Sequence, residues 1–262
     1  MHSLWKGAIS FGLVYIPIRM YSASEPKELT FRLLHKKDLS EIRYARMCVS
    51  DGKEIPWEDI VKGYEYEKGH YIPITDEDFE KASPEKTKTI EILDFTDEDQ
   101  IDTIYYSVPY YLEPETGAEN AYGLLFEALK RTKKIAIGRF IFHNHEHIGA
   151  IRIYKNILII HQFRYQNEIK DTETIKTKKP LLEKTEIELA IKLINELSKP
   201  FKPENYSDSY TNELKAIIKK KAKGGKIASP KKTKKTEKNS NILSLLKQSL
   251  ANSRTPKKKK VA

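Results

Sequence analysis

A single cysteine, Cys48, stands among 262 residues, so neither a disulfide framework nor a multi-cysteine zinc site can organise this chain. A reducing compartment is the expectation. Long apolar runs are missing as well: no window approaches the ~18 consecutive apolar residues of a membrane-spanning helix, and no membrane partner is expected. The chain has no G-x-x-x-x-G-K-[ST], no G-x-G-x-x-G and no H-E-x-x-H, which leaves the phosphate-cradling and zinc-hydrolase chemistries without a footing. What comes nearest to a metal site is "HNHEH", where His143, His145 and His147 alternate. Strand-like sequence flanks it on both sides, so a hairpin turn with exposed histidines is expected there. The carboxylates Asp97, Glu98 and Asp99 lack neighbouring Gly, Lys or His and read as a solvated acidic loop. The expectation is a protein without catalytic residues, metal or cofactor.

Charge, by contrast, is abundant and unevenly placed. The formal net charge is +10, yet residues 219–262 hold 16 basic and one acidic side chain, so the rest of the chain is negative. Residues 55–119 carry 18 acidic against 5 basic side chains, whereas residues 120–165 carry 8 basic against 2 acidic. An acidic face, a basic face and a basic tail are the electrostatic footprint of a polyanion partner, nucleic acid above all.

The most apolar stretch near the start is "WKGAISFGLVYIPIRMYSA", residues 5–23. Lys6 and Ser10 interrupt its front, Pro17 and Arg19 its back, and its β-branched and aromatic residues are not those of a secretory signal. Two strands are predicted, Ala8 to Phe11 and Leu13 to Tyr21, with Gly12 as the bend and Pro17 where no ladder donor is needed. Further strands are predicted in "GHYIPIT", "KTIEILDF", "TIYYSVPYYLEP", "KIAIGRFIFHN" and "GAIRIYKNILIIHQF". One helix interrupts them from Asn120, with Tyr122, Leu125, Phe126 and Leu129 at helical spacing. The fold class is α+β and β-rich.

After Pro180 the pattern becomes helical. Ile187, Ala190, Ile191, Ile194 and Leu197 are predicted to line one face of a helix ended by Pro200 and Pro203. A second helix, capped by Ser207 or Asp208 and striped by Leu214, Ile217 and Ile218, should stop at Gly224-Gly225. Residues 226–262 form a lysine-rich, low-complexity tail whose one exception is "NILSLLKQSL": Ile242, Leu243, Leu246 and Leu250 make a short amphipathic segment expected to fold on a partner.

"LWKGAISFGLVYIPIRMYSA" at 4–23, "IRYARMC" at 42–48, "EIPWEDIVKGYEYEKGHYIPITDEDF" at 54–79, "TIEILDF" at 89–95, "YYLEPETGAENAYGLLFEAL" at 110–129 and "FKPENYSDSYTNELKAIIKKKAKG" at 201–224 together resemble the bacterial Ku proteins, DNA-end-binding components of non-homologous end joining. The resemblance spans nearly the whole chain in order. It implies a SPOC-like β-barrel core with a ring-forming bridge (1–178), a helical C-terminal arm (179–225) and a flexible basic tail (226–262). It further implies a homodimeric ring threaded by double-stranded DNA ends, an ATP-dependent DNA ligase as partner, and a cytoplasmic, nucleoid-associated bacterial protein. The rival classes are a basic-tailed nucleoid or DNA-bridging protein and a nuclease.

Candidate DNA contacts in the bridge are Arg32, Lys36, Lys37, Arg43 and Arg46; around the exit of the first helix they are Lys130, Arg131, Lys133, Lys134 and Arg139. The tail adds Lys231, Lys232, Lys234, Lys235, Lys257, Lys258, Lys259 and Lys260. Tyr210, Leu214, Ile217 and Ile218 are the candidate ligase contacts. Many relatives carry C-x-x-C where this chain has Cys48 and Asp51, so a turn residue or a neutral buried thiol is expected here rather than a metal ligand.

Overall fold

Residues 5–22 form a hairpin in the computed structural model, which describes residues 1–82, 88–143, 145–177, 180–224 and 242–253. In chain order the strands are β1 (Trp5–Phe11), β2 (Val14–Ser22), β3 (Lys62–Glu67), β4 (His70–Ile74), β5 (Thr89–Asp97), β6 (Tyr106–Pro114), β7 (Lys134–Phe142), β8 (His145–Tyr154) and β9 (Ile157–Phe163). The helices are α1 (Asp76–Ala82), α2 (Glu119–Thr132), α3 (Lys184–Leu197), α4 (Ser209–Ala222) and α5 (Ile242–Ser253). Two compact units result, Met1–Thr172 and Glu173–Ala262.

The first unit is built on a closed barrel in the order β1-β2-β6-β9-β8-β7-β5. Its neighbours are antiparallel except at the closing seam, where β5 runs parallel to β1. Closure leaves these seven strands without a free edge. The opening hairpin starts earlier than the apolar pattern predicts, at Trp5 rather than Ala8, and Leu13 belongs to the turn and is fully exposed rather than to the second strand. Gly12, at φ +55, makes that turn, a conformation glycine adopts without the steric cost of a Cβ. Pro17 lies beyond the last pair of β2 with β6, Ile18 opposite Pro114, and its carbonyl accepts from the Glu115 N–H at 2.9 Å.

Gly7 explains the "KG" of the opening motif. A Cβ at this position would collide with the Lys88 carbonyl and with the Trp5 ring. The next amide, Ala8, donates to that same carbonyl at 2.8 Å, so the parallel seam closes against bare glycine backbone.

Inward-facing Ile9, Ile16, Ile18, Met20, Ile90, Leu112, Phe140, Ile151, Leu158 and Ile160 fill the barrel, and α2 packs Tyr122, Leu125 and Leu129 against them. The helix begins at Glu119, one residue before the predicted start, and ends at Lys133 in a left-handed conformation, φ 56. The buried Tyr122 hydroxyl donates to the Leu112 carbonyl and accepts from the Leu158 N–H, each at 2.7 Å, completing the β6–β9 ladder with a side chain. Tyr122→Phe is therefore expected to lower unfolding free energy by about 1–3 kcal/mol, because two buried backbone groups lose their partner. Chemical denaturation checks this; an unchanged midpoint would show that the ladder closes on itself.

Between β2 and β5 (residues 23–88) the chain leaves the barrel as a long excursion, whose described residues, 23–82 and 88, have little regular structure. It contains the isolated bridges Leu34–Glu41 and Met47–Glu54, the β3–β4 hairpin and α1. No described residue between 24 and 79 is buried.

In the second unit, Asp208 accepts from Thr211 N at 2.9 Å and so is the cap of α4, and Gly224 at φ +73 follows its end. The predicted stripe on α3 is largely open to solvent. Leu189, Ala190 and Leu193 are the apolar residues half-buried there, while Ile187, Ile191, Ile194 and Leu197 are exposed. The reason is α5, a twelve-residue helix that packs against α3. It carries Leu250, buried, with Leu243 and Leu246 half-buried.

Candidate nucleic-acid interface

The candidate cations of the first unit fall into two groups on different elements. Arg32, Lys36, Lys37, Arg43 and Arg46 lie on the excursion, where a bridge from Leu34 to Glu41 ties off the turn at Lys36–Asp38. Arg32 donates to Glu41 Oε1 at 2.6 Å across that turn, with both side chains largely in water. Arg46 stacks its guanidinium on Trp57 at 4.7 Å from the ring centroid. Lys36, Lys37 and Arg43 have no ion pair among the described residues.

The second group gathers where α2 runs into β7. Lys130 and Arg131 each pair with Glu127, at 3.5 and 3.7 Å, and Lys133 is the left-handed residue ending the helix. Lys134 meets Asp97 Oδ2 at 2.7 Å and Arg139 meets Glu91 Oε2 at 2.8 Å. Both are directly opposed cross-strand partners on the β5–β7 ladder. These pairs are solvent-exposed, so each contributes little to stability, and a phosphate can compete for the cation. No hydrogen bond or ion pair joins the two groups among the described residues.

Sequence reasoning passed over the apolar content of the excursion. Phe31 is 67% exposed, Tyr44 79%, Trp57 72% and Val61 69%. The signal was available in "FRLL", "EIRYARM" and "IPWEDIV", which alternate cations and carboxylates with large apolar side chains.

Cys48 sits at the start of a tight turn in which Gly52 donates back to its carbonyl at 2.9 Å, with φ +68 at that glycine. The half-buried sulfur lies 3.0 Å from Ser50 Oγ, and hydrogen bonding from Ser50 lowers the thiol below its ordinary value. It is a turn residue, not a buried thiol. The "HNHEH" turn is where the strands predict it: His143 has φ 52 and stacks on Phe142, and His145 opens β8 opposite Phe142. Both ring nitrogens of His147 are engaged. One donates to the Phe142 carbonyl at 3.2 Å and the other accepts from Gln162 Nε2 at 2.9 Å. Among the described residues no group of three His, Cys, Asp or Glu side chains could hold a metal ion.

Burial lowers the pKa of His147, and the neighbouring His145 and His143 push it the same way; burial and then Arg152 lower that of His161. Both rings therefore favour the neutral form in the fold, and the unfolded chain binds more protons near the ordinary histidine value of ~6.5. The stability they contribute is full above that pH and is lost as pH falls below it. Denaturation midpoints should decline from pH 7 to 5.5, and His147→Gln should flatten the decline; an equal slope in the variant would rule His147 out as a source.

In the second unit Tyr210 is 72% exposed, Ile217 and Ile218 are also exposed on α4, and Leu214 is half-buried. Lys231, Lys232, Lys234, Lys235 and Lys257 to Lys260 lie outside the described residues. No helix among the described residues is long and apolar enough to cross a membrane.

Comparison with known proteins agrees along the chain. The family model for the Ku70/Ku80 beta-barrel domain matches residues 10–189. A protein of Opitutus terrae named "Non-homologous end joining protein Ku" is 40% identical over 241 residues, 90% of this chain and 87% of that one. The protein of the same name from Solibacter usitatus is 41% identical over 88% of this chain and 87% of its own length. That from Bacillus subtilis is 36% identical over 98% of this chain and 84% of its own length.

Proposed function

Because the chain belongs to the Ku family, we propose that it is a non-catalytic clamp for double-stranded DNA ends in non-homologous end joining, working as a homodimeric ring that recruits and stimulates an ATP-dependent DNA ligase. The observation that supports this most is the excursion at residues 23–88. It leaves a closed barrel, buries none of its described residues between 24 and 79, and exposes aromatic and aliphatic side chains beside unpaired cations. So many large apolar side chains left in water along one segment point to an interaction site. A second copy of the same segment would cover it under two-fold symmetry, since self-complementary patches meet in pairs.

With the apolar side chains turned to the partner, the cations remain for phosphates. Arg32, Lys36, Lys37, Arg43 and Arg46 would face DNA from the bridge, and Lys130, Arg131, Lys133, Lys134 and Arg139 from the barrel. Contacts of this kind position a duplex without reading its sequence, which suits a protein that must accept any broken end. The acidic block 55–119 would repel DNA from other faces, so that threading is favoured over sideways adhesion. On α4, Tyr210, Leu214, Ile217 and Ile218 are the proposed ligase contacts, and the tail lysines reach DNA outside the ring.

The test is a gel shift on linear, hairpin-capped and covalently closed circular duplexes of equal length. Linear DNA should be retained in stoichiometric complexes and closed circles should not. Equal binding to circles would overturn the ring and favour the DNA-bridging alternative. Ile217→Asp with Ile218→Asp should abolish ligase stimulation while end binding survives; full stimulation would place the ligase contact elsewhere.

A further inference from the structure

The contact between α5 and α3 has no part in the clamp described above. We propose that the face of α3 formed by Leu189, Ala190 and Leu193 is a helix-binding surface, and that α5 is its resident, displaceable occupant. Three observations carry this. The half-buried residues of α3, Glu186, Leu189, Ala190 and Leu193, recur at the i, i+3, i+4, i+7 spacing of one helical face. Leu243, Leu246 and Leu250 of α5 recur at i, i+3 and i+7 and include the one buried residue described in the second unit. The two helices pack together although a lysine-rich segment separates α5 from α4.

Displacement follows from the size of the contact. A helix of twelve residues is marginal in water by itself, so α5 depends on α3 to stay helical. Among its described side chains one leucine is buried and two are half-buried, and its one charged residue is Lys247. A partner's amphipathic helix offering a longer apolar stripe would compete for the same face. Next to that face Ile187, Ile191 and Ile194 form a second exposed stripe that α5 does not cover, so α3 offers a competitor more apolar surface than α5 uses. This surface is separate from Tyr210, Leu214, Ile217 and Ile218 on α4.

The probe is a fluorescent peptide of residues 241–253, followed by anisotropy against the full-length protein. Wild type, whose site is occupied, should bind it at least tenfold more weakly than a full-length variant carrying Leu246→Asp and Leu250→Asp, in which the resident helix is released. A peptide bearing the same two substitutions should not bind the variant. Hydrogen exchange should show loss of α5 protection in the variant with the barrel strands unchanged, which separates release from unfolding. Equal or tighter binding by wild type, absence of binding by the variant, or binding of the substituted peptide overturns the proposal.

Discussion

Phe31→Glu with Tyr44→Glu is expected to convert the protein from dimer to monomer and to abolish its retention on linear DNA at concentrations where wild type is saturated. Both side chains are more than half in water in the single chain, and neither has a ring contact among the described residues, so the folded monomer has little to lose. Surface changes of that sort cost within about 0.5 kcal/mol. An interface built by two copies feels them differently. Burying a large aromatic side chain contributes about 1.5–3 kcal/mol, each substituted position occurs twice across a two-fold axis, and the glutamates would be buried without partners. Together these weaken dimerisation by at least about three decades, at 1.4 kcal/mol per decade. Sedimentation and the linear-duplex gel shift read the two consequences separately. A dimer that persists would remove the excursion from the subunit interface.

The second large effect concerns salt. Glutamine at Lys231, Lys232, Lys234, Lys235 and Lys257 to Lys260 should flatten the dependence of log affinity on log salt. Each phosphate contact contributes about −0.9 to that slope by counterion release. If half of these eight lysines touch phosphate at once, the slope changes by about 3.6, which amounts to roughly a hundredfold smaller loss of affinity between 50 and 200 mM salt. Substitution is preferable to truncation because removing residues 226–262 would also remove α5 and uncover α3. Preference for ends over circles should persist, since topology and not charge would supply it. Slopes measured side by side decide the matter, and an unchanged slope would mean that the tail is electrostatically idle.

Much of the barrel was legible because its signals are local. Alternation of β-branched and aromatic residues marked the strands, and Tyr122, Leu125 and Leu129 at helical spacing marked α2, each within a few residues of the observed ends. The full-length resemblance also rested on local motifs, and the Ku family assignment bears it out. The candidate site was legible only as composition: cations could be counted, but not their partners. That Lys134 faces Asp97 and Arg139 faces Glu91 depends on the register of β5 against β7, two strands with α2 between them in the chain.

The sequence by itself determined a β-rich fold with helices after it, the segregation of charge and the family. Tertiary structure decided what a one-dimensional pattern leaves open. Gly7 is demanded by the Lys88 carbonyl arriving on a parallel strand far along the chain, and periodicity carries no trace of such an approach. On α3 two apolar stripes overlap, Ile187–Ile191–Ile194 and Leu189–Ala190–Leu193, and either satisfies a helical repeat. Only the arrival of α5 on one of them selected which would be covered, because burial belongs to a pair of surfaces and not to either sequence alone.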